Sequence, residues 1–75
     1  MVRDDLIFMS KDQLVESFLH KRVHVVLYGN QIEDFIVKGF CVTPYAKNEA
    51  CPIVGFISQS GKSYSFLGIK EIYVI

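Results

Sequence analysis

Net charge is what this chain does without. Eight basic and eight acidic residues cancel over 75 positions, and the isoelectric point lies near 6.7. With no overall field to attract phosphate backbones, any nucleic-acid site must be local. Low-complexity tracts and blocks of like charge are missing as well, so a single domain spans residues 1–75. The apolar run Leu6 to Met9 is too short for a signal sequence or a membrane span, which argues against a membrane partner. Cys41 and Cys51 lack C-x-x-C spacing and read as reduced thiols in a cytoplasmic protein, with a disulfide between them left open by geometry alone. There is no Gly-rich phosphate loop, nucleophile elbow or paired-carboxylate arrangement, and nothing here points to an enzyme. His20 and His24 straddle a helix-to-strand junction rather than sharing a helical face. Together with Glu33 and Asp34 they therefore predict neither a metal site nor a cofactor.

What the chain has in excess is apolar material. Hydrophobic residues make up 51% of it and the mean hydropathy is +0.29. A folded monomer of this size buries only about 60% of the surface its unfolded chain exposes. Self-association through unpaired sheet edges would hide the remainder.

The most ordered pattern runs from Lys11 to Tyr28. Ser10 and Gln13 have the spacing of a capping box, and Asp12 suits the positive end of a helix. Leu14, Val15, Phe18 and Leu19 then recur at helical spacing, predicting a helix over 10–22. Residues 1–9 read as a leader packed against it. From Val23 the period changes to two: Val23, Val25 and Leu27 alternate with His24, Val26 and Tyr28, a strand joined to the helix almost without a linker.

The remaining strands follow in order. Gly29-Asn30 is turn chemistry. Ile32 to Thr43 forms a long strand with Phe35, Val37, Gly39 and Cys41 on one face and Ile36, Lys38, Phe40 and Val42 on the other; Gly39 is its cheapest point of bending. Pro44 to Pro52 is a long loop bracketed by the two prolines. Ile53 to Gln59 and Lys62 to Phe66 form a hairpin, Leu67-Gly68 breaks the chain, and Ile69 to Ile75 is the fifth strand. One helix followed by five short, strongly bent strands predicts a mainly β protein with a small closed barrel over 23–75, not a βαβ unit.

In this order the chain resembles the Sm-like superfamily and, within it, the Hfq-type bacterial RNA chaperones. Members of that group carry a helix of the form Asp-x-φ-φ-x-x-φ (φ apolar), then basic residues, then Val-x-Val-x-φ-Tyr. Asp12, Leu14, Val15 and Phe18, then His20, Lys21 and Arg22, then Val23, Val25, Leu27 and Tyr28 fill those places without a gap. Further on the likeness is one of topology, with Val37-Lys38-Gly39 in place of the φ-x-Gly of the bent second strand. Ser65-Phe66-Leu67 stands where the family has a pore-facing Tyr-Lys-His-type motif, Lys11 stands at the place of a pore-side glutamine, and Gly29-Asn30-Gln31 replaces an Asn-Gly turn.

The resemblance implies a homo-oligomeric ring that binds single-stranded RNA without catalysis, as a chaperone or post-transcriptional regulator, by base stacking and phosphate contact. Tyr28 would stack a base; His20, Lys21 and Arg22 would form a phosphate-contacting rim, with Lys11 a further RNA contact. Each residue also has a purely structural reading. Tyr28 suits a β-rich surface, and cations are favoured near a helix C-terminus by the dipole alone. Lys47 and Lys62 extend the basic surface, against Glu49. A second function also fits the chain: a protein-binding small β-barrel, such as a phage or mobile-element inhibitor. Neutral charge, the missing pore motif, the long loop and apolar Phe66, Leu67 and Tyr73 favour it.

Overall fold

The computed structural model describes residues 1–43 and 52–75. The loop expected over Pro44 to Pro52, with Lys47, Glu49 and Cys51, falls outside the described residues except for Pro52.

The first element is one the sequence pattern did not signal. Residues 1–9, expected as a leader, contain a helix, α1 (Arg3–Phe8). The Asp5 carboxylate accepts a hydrogen bond from the Val2 amide at 3.1 Å, satisfying one of the orphan donors at the helix start. Leu6 is fully buried. The segment before it is held by the sheet: Met1 O accepts from the Ile72 amide at 2.8 Å, and Val2 bridges to Glu71. Consequently α1 packs chiefly on the last strand and the turn preceding it.

The second helix, α2 (Lys11–Phe18), opens on the expected capping box. Ser10 Oγ accepts from the Gln13 amide at 3.2 Å, and Gln13 Oε1 accepts from the Ser10 amide at 2.9 Å. Leu14 and Phe18 are its buried residues. The helix stops four residues before the expected boundary at Arg22, because His20 turns into the left-handed region (φ 63°). There its amide donates to Val37 O at 2.8 Å, which directs Lys21 into the sheet.

Five strands follow: β1 (Arg22–Leu27), β2 (Ile32–Val42), β3 (Ile53–Ser58), β4 (Ser63–Ser65) and β5 (Ile69–Val74), with a 3-10 turn at Phe66–Gly68 before the last. They form one antiparallel sheet in the order β4-β3-β2-β1-β5. The protein is thus mainly β with short N-terminal helices, but the sheet does not close into the expected barrel; its ends are β4 and β5. At three residues, β4 is too short to carry pairing round, and the 3-10 turn sends the chain across to β1.

The long second strand is bent where expected. Its first half, Ile32 to Ile36, pairs with β1, and its second half pairs with β3 after a register shift between Val37 and Gly39. Lys38 is the extra residue of this bulge. The shift also reverses the alternation, so that Phe35 and Val37 are buried before it while Phe40 packs against the core after it. The single-face grouping of Phe35, Val37, Gly39 and Cys41 expected from the sequence therefore holds only as far as Val37.

The core lies under α1 and α2. Phe56 packs edge-on to Phe18 (ring centroids 5.3 Å apart) and to Phe66 (4.9 Å). Phe35 stacks on Tyr64 at 4.4 Å, so side chains bridge the interior from β2 to β4 although the backbones do not pair. Gly55 makes this approach possible: a Cβ there would collide with the backbone carbonyl of Tyr64.

Candidate nucleic-acid interface

Strand β1 is anchored in the middle by the fully buried Val23 and Val25, and each of its ends carries candidate contact residues. At its start lie His20, Lys21 and Arg22, all exposed. Their backbones are engaged: Lys21 O accepts from the Val37 amide at 3.0 Å, and Arg22 O accepts from the Ile75 amide at 2.9 Å. Lys11 is exposed at the opposite end of α2. Past the other end of β1 stands Tyr28, roughly 20 Å of extended chain from Arg22 at about 3.3 Å per residue. The five predicted contact residues therefore do not share one pocket.

Tyr28 is positioned by the sheet. Its amide donates to Gly68 O at 3.1 Å, and Leu27 pairs with Ile69 after a register shift. The turn Gly29-Asn30 (φ 92° and 64°) then carries the chain back into β2. This leaves Tyr28 52% exposed beside the start of β5, where it shares a depression with Lys70. The α1 side of the site is set by the Val2–Glu71 bridge, which brings Arg3 over Tyr28 with its guanidinium carbon 5.6 Å from the ring centroid. Val2, Arg3, Asp4, Tyr28 and Lys70 line a depression of about 220 Å³.

Arg3 is incompletely satisfied in this position. Its Nε is buried without a hydrogen bond, and the nearest carboxylate oxygen, Asp4 Oδ1, is 3.7 Å away. An unsatisfied buried donor costs about 1–3 kcal/mol, whereas an exposed cation–π contact returns about 0.5–1 kcal/mol and an exposed ion pair about 0–1 kcal/mol. These terms nearly cancel, so fold stability alone does not account for the placement of Arg3. Neither Arg3 nor Lys70 was singled out from the sequence as a contact residue. Each is an isolated cation in the chain, and only the pairing of β5 with β1 and with Val2 brings them to Tyr28.

Two further side-chain pairs engage each other. Lys62 donates to both oxygens of Glu33, at 3.2 and 3.3 Å, and its ammonium lies 5.2 Å from the Tyr64 ring centroid. Its hydrogen bond to Glu33 holds the pKa of the Lys62 ammonium above the ordinary value of 10.5, while burial is the main influence pushing the Tyr64 phenol above 10.0. Lys62 is thus neutralised locally and does not extend a free basic surface. On the outer face of the β5-β1-β2 half, Asp34 Oδ1 accepts from His24 Nδ1 at 2.7 Å, with Tyr73 beside the imidazole. This is a cross-strand contact of two titratable groups; among the described residues no three His, Cys, Asp or Glu side chains stand close enough to hold a metal ion. The Cys41 thiol is directed at Phe56 O, 3.7 Å away. Among the described residues no helix is long and apolar enough to cross a membrane.

A second depression, about 330 Å³ and largely apolar, is lined by Ile7, Ile53, Val54, Ser65, Phe66 and Leu67. Leu67 is 70% exposed there, and Phe8, at the end of α1, is 86% exposed. Compared with protein-family models, curated proteins and solved structures, the chain matches none.

Proposed function

We propose that this protein is a cytoplasmic, Sm-like, non-catalytic binder of single-stranded RNA, in which Tyr28 stacks a base. The observation that carries the reading is the half-exposed Tyr28 ring in a depression bordered by Arg3 and Lys70. An aromatic face next to cations is the combination that binds a single strand, and it does so locally, as zero net charge requires. The strand order β4-β3-β2-β1-β5, with a bent central strand and a helix leading directly into β1, supports the Sm-like part. Self-association belongs to the same proposal: β4 and β5 end the sheet, and β5 is engaged on its outer side by Met1 and Val2. Because those two residues also seat Arg3 beside Tyr28, the edge left for pairing with a second copy is β4.

Stacking on an aromatic is worth about 1–3 kcal/mol per base. Tyr28→Ala should therefore weaken binding of a labelled oligonucleotide by roughly fivefold to a hundredfold, and affinity should fall steeply with added salt. Unchanged affinity in Tyr28→Ala would sink the assignment, and a loss confined to the Lys21→Ala/Arg22→Ala double variant would move the interface to the start of β1. A second reading is favoured by the apolar depression at Ile7 and Leu67, namely a small β protein that binds or inhibits a partner protein. Binding there should hardly respond to salt, and a protein that co-purifies without nucleic-acid absorbance would favour it.

A further inference from the structure

The depression at Tyr28 has more in it than an aromatic face. Three separate segments meet there, each fixed by backbone bonds: the end of β1 through the Tyr28 amide on Gly68 O, β5 through its pairing with β1, and the N-terminal residues through Met1 O on the Ile72 amide. They bring two cations to one ring. The Arg3 guanidinium lies over one side of Tyr28, holding only a long contact to Asp4. Lys70 shares the rim and is exposed. With Asp4 counted, the rim carries one net positive charge in a chain whose total is zero. A flat aromatic surface bordered by two cations fits an unpaired base together with the phosphate attached to it.

Building on the RNA-binding reading above, we propose that the depression is a one-nucleotide subsite. The base rests on the open side of Tyr28, and its phosphate sits between the Arg3 guanidinium and the Lys70 ammonium. Arg3 turns from its long contact with Asp4 to make charge-assisted hydrogen bonds to the phosphate oxygens. Asp4, left at the rim, disfavours a second phosphate beside the first and limits the subsite to one. The first helix is then part of the binding surface, not only a cover for Leu6.

The test uses the full-length protein and fluorescently labelled hexaadenylate and hexauridylate, titrated at several salt concentrations. Arg3→Gln and Lys70→Gln should each weaken binding at least fivefold and each reduce the slope of log affinity against log salt by about one. Arg3→Lys should restore the slope, since a lysine still neutralises the phosphate. Lys38→Gln, at the bulge of β2, should leave both quantities unchanged. Hydrogen exchange of the Ile72 amide checks that α1 stays seated in each variant, because that amide donates to Met1 O. If Arg3→Gln and Lys70→Gln bind like wild type while Tyr28→Ala does not, the phosphate subsite is wrong and the stacking role stands. If neither oligonucleotide binds the wild-type protein, the RNA reading fails and the subsite falls with it.

Discussion

The two ends of β1 contrast in how their chemistry is assembled. At the start, His20, Lys21 and Arg22 are neighbours in sequence, so their basic character is visible in the chain itself. At the far end the cations around Tyr28 come from α1 and β5 and meet only through sheet pairing. The junction is charged because of composition, whereas the Tyr28 end is charged because of topology. The first cluster follows directly on the C-cap Leu19, where the end of a helix still favours cations whatever they bind, although the last turn of α2 carries none. At the second, the contacts of Arg3 with the Tyr28 ring and with Asp4 are offset by its buried Nε, which is left without a hydrogen bond. The end lacking a stability explanation is the stronger candidate for a binding role.

The largest expected effects separate the ends through their packing. Phe18→Ala, under the junction, should cost about 3–5 kcal/mol, and Leu6→Ala, under α1, about 2–5 kcal/mol. Chemical denaturation measures both. The comparison is sharpened if Leu6→Ala also reduces oligonucleotide affinity at a denaturant-free temperature where the sheet remains folded, since Arg3 then loses its seat. Equal affinity in that variant would break the link between α1 and the site.

Tyr28→Ala comes next. It should leave stability within about 0.5 kcal/mol of wild type, as for other half-exposed surface positions, while lowering RNA affinity. A stability loss of several kcal/mol would instead make Tyr28 structural. At the other end, His20→Gly should stabilise the fold by up to about 1 kcal/mol by relieving the left-handed backbone, with little effect on RNA binding. A large affinity loss in His20→Gly would move the interface to the junction.

The smallest effect is in the pH dependence. Lys62 and Tyr64 both have raised pKa values in the fold, so the unfolded chain loses these protons first as pH rises. Their stabilising contribution is complete below about pH 10 and is lost above it. Thermal unfolding should show a falling midpoint above pH 10, and Glu33→Gln should remove the part due to Lys62. A midpoint that rises in that range would contradict the Glu33–Lys62 pairing.

Much of the fold was legible because it is written in local pattern. The Ser10–Gln13 box, the change of period at Val23, the Gly29-Asn30 turn and the bend near Gly39 each depend on neighbouring residues. The helix α1 was not legible: it is six residues long and buries only Leu6, leaving Ile7 and Phe8 exposed, so it has no apolar stripe. The early end of α2 depends on a bond from His20 to the distant Val37. The open sheet, in place of a closed barrel, follows from the brevity of β4, which periodicity does not reveal. Of the candidate site, Tyr28 was legible as an aromatic closing a strand. Its partners were not, since Arg3 lay in an apparent leader and Lys70 in an ordinary strand alternation. Only long-range pairing carries that information.

The most direct test of the central claim is a map of backbone amide shifts in the isotopically labelled protein as an unlabelled single-stranded oligonucleotide is added. The account predicts shifts concentrated at Val2, Arg3, Tyr28, Gly68 and Lys70, with His20 to Arg22 nearly unmoved. Shifts concentrated at His20 to Arg22 or around Ile7 and Leu67, or no shifts at all, would contradict it.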